Sequence, residues 1–189
     1  MKKTLLCVAL LGLTACSSTP APNSTPLADN DAIPQWVLLP TSDRGLAASA
    51  CVPWSGNMAV DKAQAVAIAR ASLAQQIQLK AQVMDKMYMR RTDAEGATSS
   101  GGSFEQVSKQ IADQSLVGSV PKEVAFGQLD NRKQLCALVD MPATDKAFDQ
   151  LVQQSGRKLD PMSKQALYEE FRAQKAQKEL EAELANLAQ

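Results

Sequence analysis

The sequence predicts a mixed α/β (α+β) domain, a small sheet of about three strands packed by a long alanine-rich helix, with a charged helix at the C-terminus. Three observations lead there. Residues 61–91 place Val66, Ala69, Leu73, Ile77, Met84 and Tyr88 at helical spacing, and no proline interrupts them. Two short apolar runs, one around Cys51 and one around Cys136, have the length and polar bounds of strands. Aromatic residues make up only 4% of the chain while alanine is abundant, so the core must rely on close backbone approach rather than large side chains.

The elements follow in order. Residues 1–15 read as a lipoprotein signal peptide: Lys2 and Lys3 form the positive start, residues 4–12 a short apolar stretch, and Leu13-Thr14-Ala15-Cys16 a lipobox. The apolar stretch is too short for a permanent membrane span. In such signals cleavage precedes the cysteine, so Cys16 becomes the lipidated first residue, carrying diacylglycerol and palmitate; the alternative is an ordinary secretory signal with an accidental cysteine. Two or three acyl chains, at about 0.8 kcal/mol per buried methylene, hold a protein stably where one does not. Residues 16–33 are rich in Ser, Thr, Asn and Pro and are expected to form a flexible tether.

A compact domain is expected over 34–157 and a separate C-terminal helix over 158–189. The Pro34-to-Pro40 segment is expected to be extended, with Trp36 either packed onto the domain as a latch or exposed as a partner contact; the latch is favoured because large aromatics are usually well buried. A strand over 46–52 precedes the long helix, in which Ala63, Ala67, Ala71 and Ala74 keep one face thin enough for close packing. Met84, Met87 and Met89 suit adaptable core filling better than a binding surface. Gly101-Gly102 lies in a Ser/Gly-rich loop that lacks the preceding strand and the lysine of a phosphate-binding loop. Ser103 then caps a helix reaching 114. A strand region over 116–129, bent near Pro121, turns at Asp130-Asn131 into a strand over 133–140. Helices over 142–154 and 160–188 complete the chain, the last with Asp160 as cap and Pro161 at its first position. Its apolar stripe runs through Leu167, Phe171, Ala176, Leu180, Leu184 and Leu187, and Lys175 with Glu179 forms an i,i+4 pair. This helix either projects toward a partner or folds back. Phe171, Leu180 and Leu184 are its candidate partner contacts.

Composition excludes several functions. The chain contains no histidine, which removes Ser-His and Cys-His nucleophile pairs, histidine metal ligands and imidazole switches. Acidic and basic side chains balance, and loss of Lys2 and Lys3 with the signal leaves a net charge of −2, unsuited to nucleic acid. No ordered catalytic motif, metal site, cofactor site or small-molecule pocket is evident, so the chain is not expected to be an enzyme. With Cys7 removed and Cys16 lipidated, Cys51 and Cys136 are the right number for one disulfide in an oxidising compartment; the alternative is two buried thiols acting as small hydrophobes.

Lipobox, polar tether, Pro34 and Trp36, the run Ala63-Gln64-Ala65-Val66-Ala67-Ile68-Ala69-Arg70 with Leu73-Ala74, the segment Ser115-Leu116-Val117-Gly118 and the strand around Leu135 to Val139 together resemble the Lpp-twenty-like bacterial lipoprotein family. Ala166-Leu167-Tyr168-Glu169-Glu170-Phe171-Arg172 is similar to a segment of its FlgP-type flagellar outer-membrane members. The resemblance implies a compact α/β domain without enzymatic activity, placed in the periplasm and often assembled into rings around the flagellar motor. The expected partners are thus outer-membrane lipid through acylated Cys16 and either further copies of the chain or an envelope protein. A regulatory module tethered for a cell-wall synthase fits the same features. Ser17, after the lipidated cysteine, resembles the outer-membrane sorting pattern.

Overall fold

The computed structural model describes residues 32–43, 45–94, 101–117, 119–141, 144–173, 175 and 177–189. The expected signal peptide, Cys16 and most of the expected tether lie outside these residues. The fold is α+β, with a three-stranded antiparallel sheet among the described residues and one helix far longer than the rest.

That helix, α2, runs over Met58–Ala94, three residues beyond the expected range at each end. Asn57 explains the earlier start, since its Oδ1 accepts from the backbone N–H of Ala59 and of Val60 at 3.1 and 3.2 Å. Ala65, Val66, Ala69, Leu73, Ile77, Ala81, Met84 and Tyr88 form its buried stripe. Here one expectation is corrected. Ala63, Ala67 and Ala71 face solvent and Ala74 is half-buried, so the close packing is made by Ala65, Ala69 and Ala81 instead. The two alanine sets lie on different arcs of one helix, and only the arc shared with Leu73 and Ile77 meets the core. Of the methionines, Met84 is buried and Met87 packs against the core, whereas Met89 is exposed.

Strand β1, Ala47–Pro53, pairs with β3, Arg132–Asp140, which pairs in turn with β2, Pro121–Leu129, giving the order β1-β3-β2. The last-made strand is therefore central. Asp130 and Asn131 join β2 to β3 with φ of 49° and 58°, as a two-residue hairpin loop with both φ positive requires. Ala48, Val52, Leu135, Ala137 and Val139 belong to the core shared with α2. The alternate residues Cys51, Cys136 and Leu138 fall on the sheet's other face.

The strand expected from residue 116 begins only at Pro121. Helix α3, Phe104–Val117, takes the preceding residues because Phe104, Ile111, Ala112 and Leu116 recur at helical spacing against the core. Its start is a reciprocal cap: Ser103 Oγ accepts from Gln106 N–H at 3.0 Å, and Gln106 Oε1 accepts from Ser103 N–H at 3.1 Å. Arg70 ties the crossing into β2 to α2, donating from Nε to Ser119 Oγ at 3.0 Å and from Nη2 to Ser119 O at 2.5 Å.

Helix α4, Thr144–Ser155, inserts Phe148 against Tyr168 and Phe171 of α5, Pro161–Arg172. The single helix expected over 160–188 is two. After Arg172 the backbone leaves helical geometry at Ala173, with ψ of 131°, and α6, Gln177–Leu187, turns back onto α2. Lys80 of α2 reaches the corner, its Nζ donating to Glu170 O at 3.0 Å and Ala173 O at 2.6 Å. These carbonyls are C-terminal groups of α5 that a continuing helix would have used itself. Lys175 correspondingly bridges Glu170 and Glu183, at 2.8 and 2.6 Å, where the continuous helix would have set it against Glu179.

Candidate functional site

The C-terminal segment is built into the domain, which corrects two candidate contacts. Phe171 and Leu180 are both 0% exposed and serve packing; Leu184 is half-buried, its carbonyl accepting from Lys86 Nζ at 3.4 Å. Trp36 sits half-buried in a single helical turn, α1, Gln35–Leu38, where an extended segment was expected. Pro34 supplies the turn's entry: its carbonyl accepts from Val37 N–H at 2.9 Å. The turn lies against β1 and β3, and Ser49 Oγ donates to Val37 O at 2.7 Å, so Trp36 belongs to a strap laid on the sheet. The Trp36 side chain itself is neither enclosed nor fully exposed, between the latch and the exposed contact that the sequence allows.

Cys51 and Cys136 stand directly opposite in the β1–β3 ladder and are joined by a disulfide spanning 85 positions. The bond staples the first strand to the central one.

Two polar nodes brace the helices. Arg157, nearly buried, holds Nη1 2.7 Å from Asp85 Oδ1 while its guanidinium lies over the rings of Tyr88 and Phe104 at 4.3 and 4.6 Å. Asp85 also accepts from the N–H groups of Phe104 and Glu105 at 2.8 and 2.9 Å, serving the start of α3 from a neighbouring helix. The second node is Lys80, whose burial lowers its pKa to about 8 against the attraction of Glu170 and Glu183, with Lys175 adding to the lowering. Both nodes are enclosed by packing and expose no reacting group.

Sequence reasoning passed over the hairpin end of the sheet. Trp54 meets Phe126 edge to face at 4.9 Å, and Lys133 Nζ stands 3.7 Å from the Phe126 ring centre and 5.0 Å from that of Trp54. Phe126 is nevertheless 43% exposed. The signal was present as Val124 and Phe126 two apart on β2, opposite Ala137 and Leu135 of β3. Ala32 pairs with Gln128 beside them, N–H to O at 3.0 and 2.8 Å in the two directions.

Surface hollows are open. One of about 430 Å3 lies between α1, β1, α2 and the start of α6; another of about 540 Å3 lies between α2, α5 and α6. Among the described residues no three His, Cys, Asp or Glu side chains are placed to hold a metal ion, and no helix is long and apolar enough to cross a membrane. At the surface the arrangement presents exposed apolar side chains and the Lys133 ammonium group. No family model, curated protein or solved structure matches the chain.

Proposed function

We propose that the chain is an outer-membrane lipoprotein, acylated at Cys16, whose periplasm-facing domain is a non-enzymatic scaffold or interaction module, with the flagellar motor as the first candidate for its machine. The observation that carries this reading is the pairing of Cys51 with Cys136 in a chain that also begins with a lipobox. A disulfide suits an oxidising compartment, and the lipobox accounts for one of the remaining cysteines. The absence of histidine and the braced helices favour binding over turnover.

Two experiments test it. Replacing Cys16 by Ser removes the acyl increment from the intact mass and releases the chain from outer-membrane fractions; a Cys16→Ser chain that still partitions with that membrane overturns the anchor. Affinity capture from solubilised membranes, paired with swimming assays of a deletion strain, tests the machine. Recovery of flagellar proteins with loss of motility supports the motor assignment, whereas recovery of a cell-wall synthase with normal motility replaces it.

A further inference from the structure

Building on the anchored-lipoprotein reading, we propose that the hairpin end of the sheet docks on the phospholipid surface that carries the anchor, with Phe126, Leu129 and Trp54 entering the interfacial layer and Arg132 and Lys133 meeting lipid phosphates.

The point where the chain enters the fold selects this end. Ala32 is bridged to Gln128 on β2, one residue from the end of that strand, and Cys16 lies 16 positions earlier. Sixteen residues reach at most about 55 Å when fully extended. Helix α2, with 37 residues, is itself about 56 Å long at 1.5 Å per residue. The tether is therefore no longer than the domain's own spine, and the hairpin is the part it leads to first. Tethering at this range turns a membrane encounter into an intramolecular event at high effective concentration.

The chemistry of that end fits a lipid interface. Phe126 and Leu129 are 43% and 37% exposed and, three apart on one strand, present apolar surface on both faces of the hairpin end. Trp54 and Phe126 offer the amphipathic and aromatic bodies favoured at headgroup depth, and long basic side chains there send their charge outward to phosphates. Lys133 now shields both rings with its ammonium group; moving that group to a phosphate uncovers them. Beside it a shallow hollow of about 350 Å3 is lined by Ala32, Phe126, Gly127, Gln128 and Lys133. Gly127 keeps the hollow's wall close, because a Cβ there would come within 3.3 Å of Ala32 O. Asp130 is the acidic group of the hairpin loop, and two exposed cations, Arg132 and Lys133, follow it in β3.

Tryptophan depth measured on the full lipidated chain tests the proposal. Trp36→Phe leaves Trp54 as the single tryptophan. The chain is reconstituted into phosphatidylethanolamine and phosphatidylglycerol vesicles containing a brominated phosphatidylcholine, and each sample is floated on a density gradient so that anchoring is read separately from docking. Docking gives blue-shifted Trp54 emission quenched severalfold more than in Phe126→Asp or Lys133→Glu chains, which still float. Floating chains whose Trp54 is unquenched, or quenched equally in those variants, overturn the docking and leave the anchor standing. Chains that do not float overturn the anchor and the docking with it.

Discussion

Lys80→Met should change how stability depends on pH more than it changes stability itself. Lys80 is 0% exposed, and burial brings its pKa from 10.5 down to about 8 in the folded chain. Between those values the unfolded chain binds more protons than the folded one, so the folding free energy of the parent must improve as pH rises from about 8 to about 10.5. Below pH 8 the folded state bears the full cost of an enclosed ammonium group. The difference of 2.5 pKa units corresponds to about 3 kcal/mol at 1.36 kcal/mol per unit. Methionine retains most of the side-chain length and cannot titrate, but leaves Glu170 O and Ala173 O without their donor, at about 1 kcal/mol each. The parent and variant should thus be close in stability near pH 7, with the parent drawing ahead by about 3 kcal/mol by pH 10.5. Urea unfolding followed by far-UV circular dichroism at half-unit pH steps, with the disulfide intact, measures the gap. Because all other titrations are common to both chains, only the difference curve matters. A gap that stays flat within about 1 kcal/mol across that window refutes the buried charge. A gap that closes with rising pH would mean that the α5–α6 corner needs the ammonium form.

Further outcomes follow from other contacts. Cys51→Ala and Cys136→Ala should each cost about 4 to 5 kcal/mol by loop-closure entropy and not add in the double variant, and non-reducing mass spectrometry should find a peptide joining β1 to β3; free thiols in protein folded under oxidising conditions would contradict the bond. Asp85→Ala should cost about 3 to 5 kcal/mol, because Arg157 stays enclosed without its partner and α3 loses two capping bonds; Arg157→Met in the same chain should recover part of the loss in thermal melts. The Asp160 carboxylate accepts from Ser163 Oγ and from the N–H groups of Ser163 and Met162, which lower its pKa. Protection of the amides at the start of α5, taken relative to their intrinsic exchange rates, should therefore fall as pH drops through that lowered value, and Asp160→Ala should be weakly protected throughout.

The fold class was legible because its main signals are local. The α2 stripe is a helical period written in one stretch of chain, and Asp130-Asn131 is a loop whose two residue types tolerate positive φ. What escaped reading depends on distant partners. Nothing within residues 160–188 marks a break at Ala173; the donor that replaces the helix's own hydrogen bonds is Lys80, on another element. The same tertiary cause buries Phe171 and Leu180, which read locally as one side of a free amphipathic helix. Leu116 and Val117 read as strand by their side chains, yet the core position of Ile111 and Ala112 extends α3 through them. At the candidate contacts, Cys51 and Cys136 were visible by counting, but their register was not. The cluster of Trp54, Phe126 and Lys133 joins three separate segments and has no contiguous motif.

The strand order also governs when the domain can come into being. β1 forms its ladder with residues 134–140, which are synthesised more than 80 positions later, and the sheet has no centre until they arrive. A chain emerging from the ribosome can close the local β2–β3 hairpin only near its last quarter, while β1 and the far larger α2 wait without a partner sheet. Non-local pairing of this kind folds slowly. The pair Cys51 and Cys136 sits within that late ladder, so the covalent bond can form only once both the first and the last-made strand exist. The slowest pairing of the fold is thereby the one that a covalent bond makes permanent, at these same two positions.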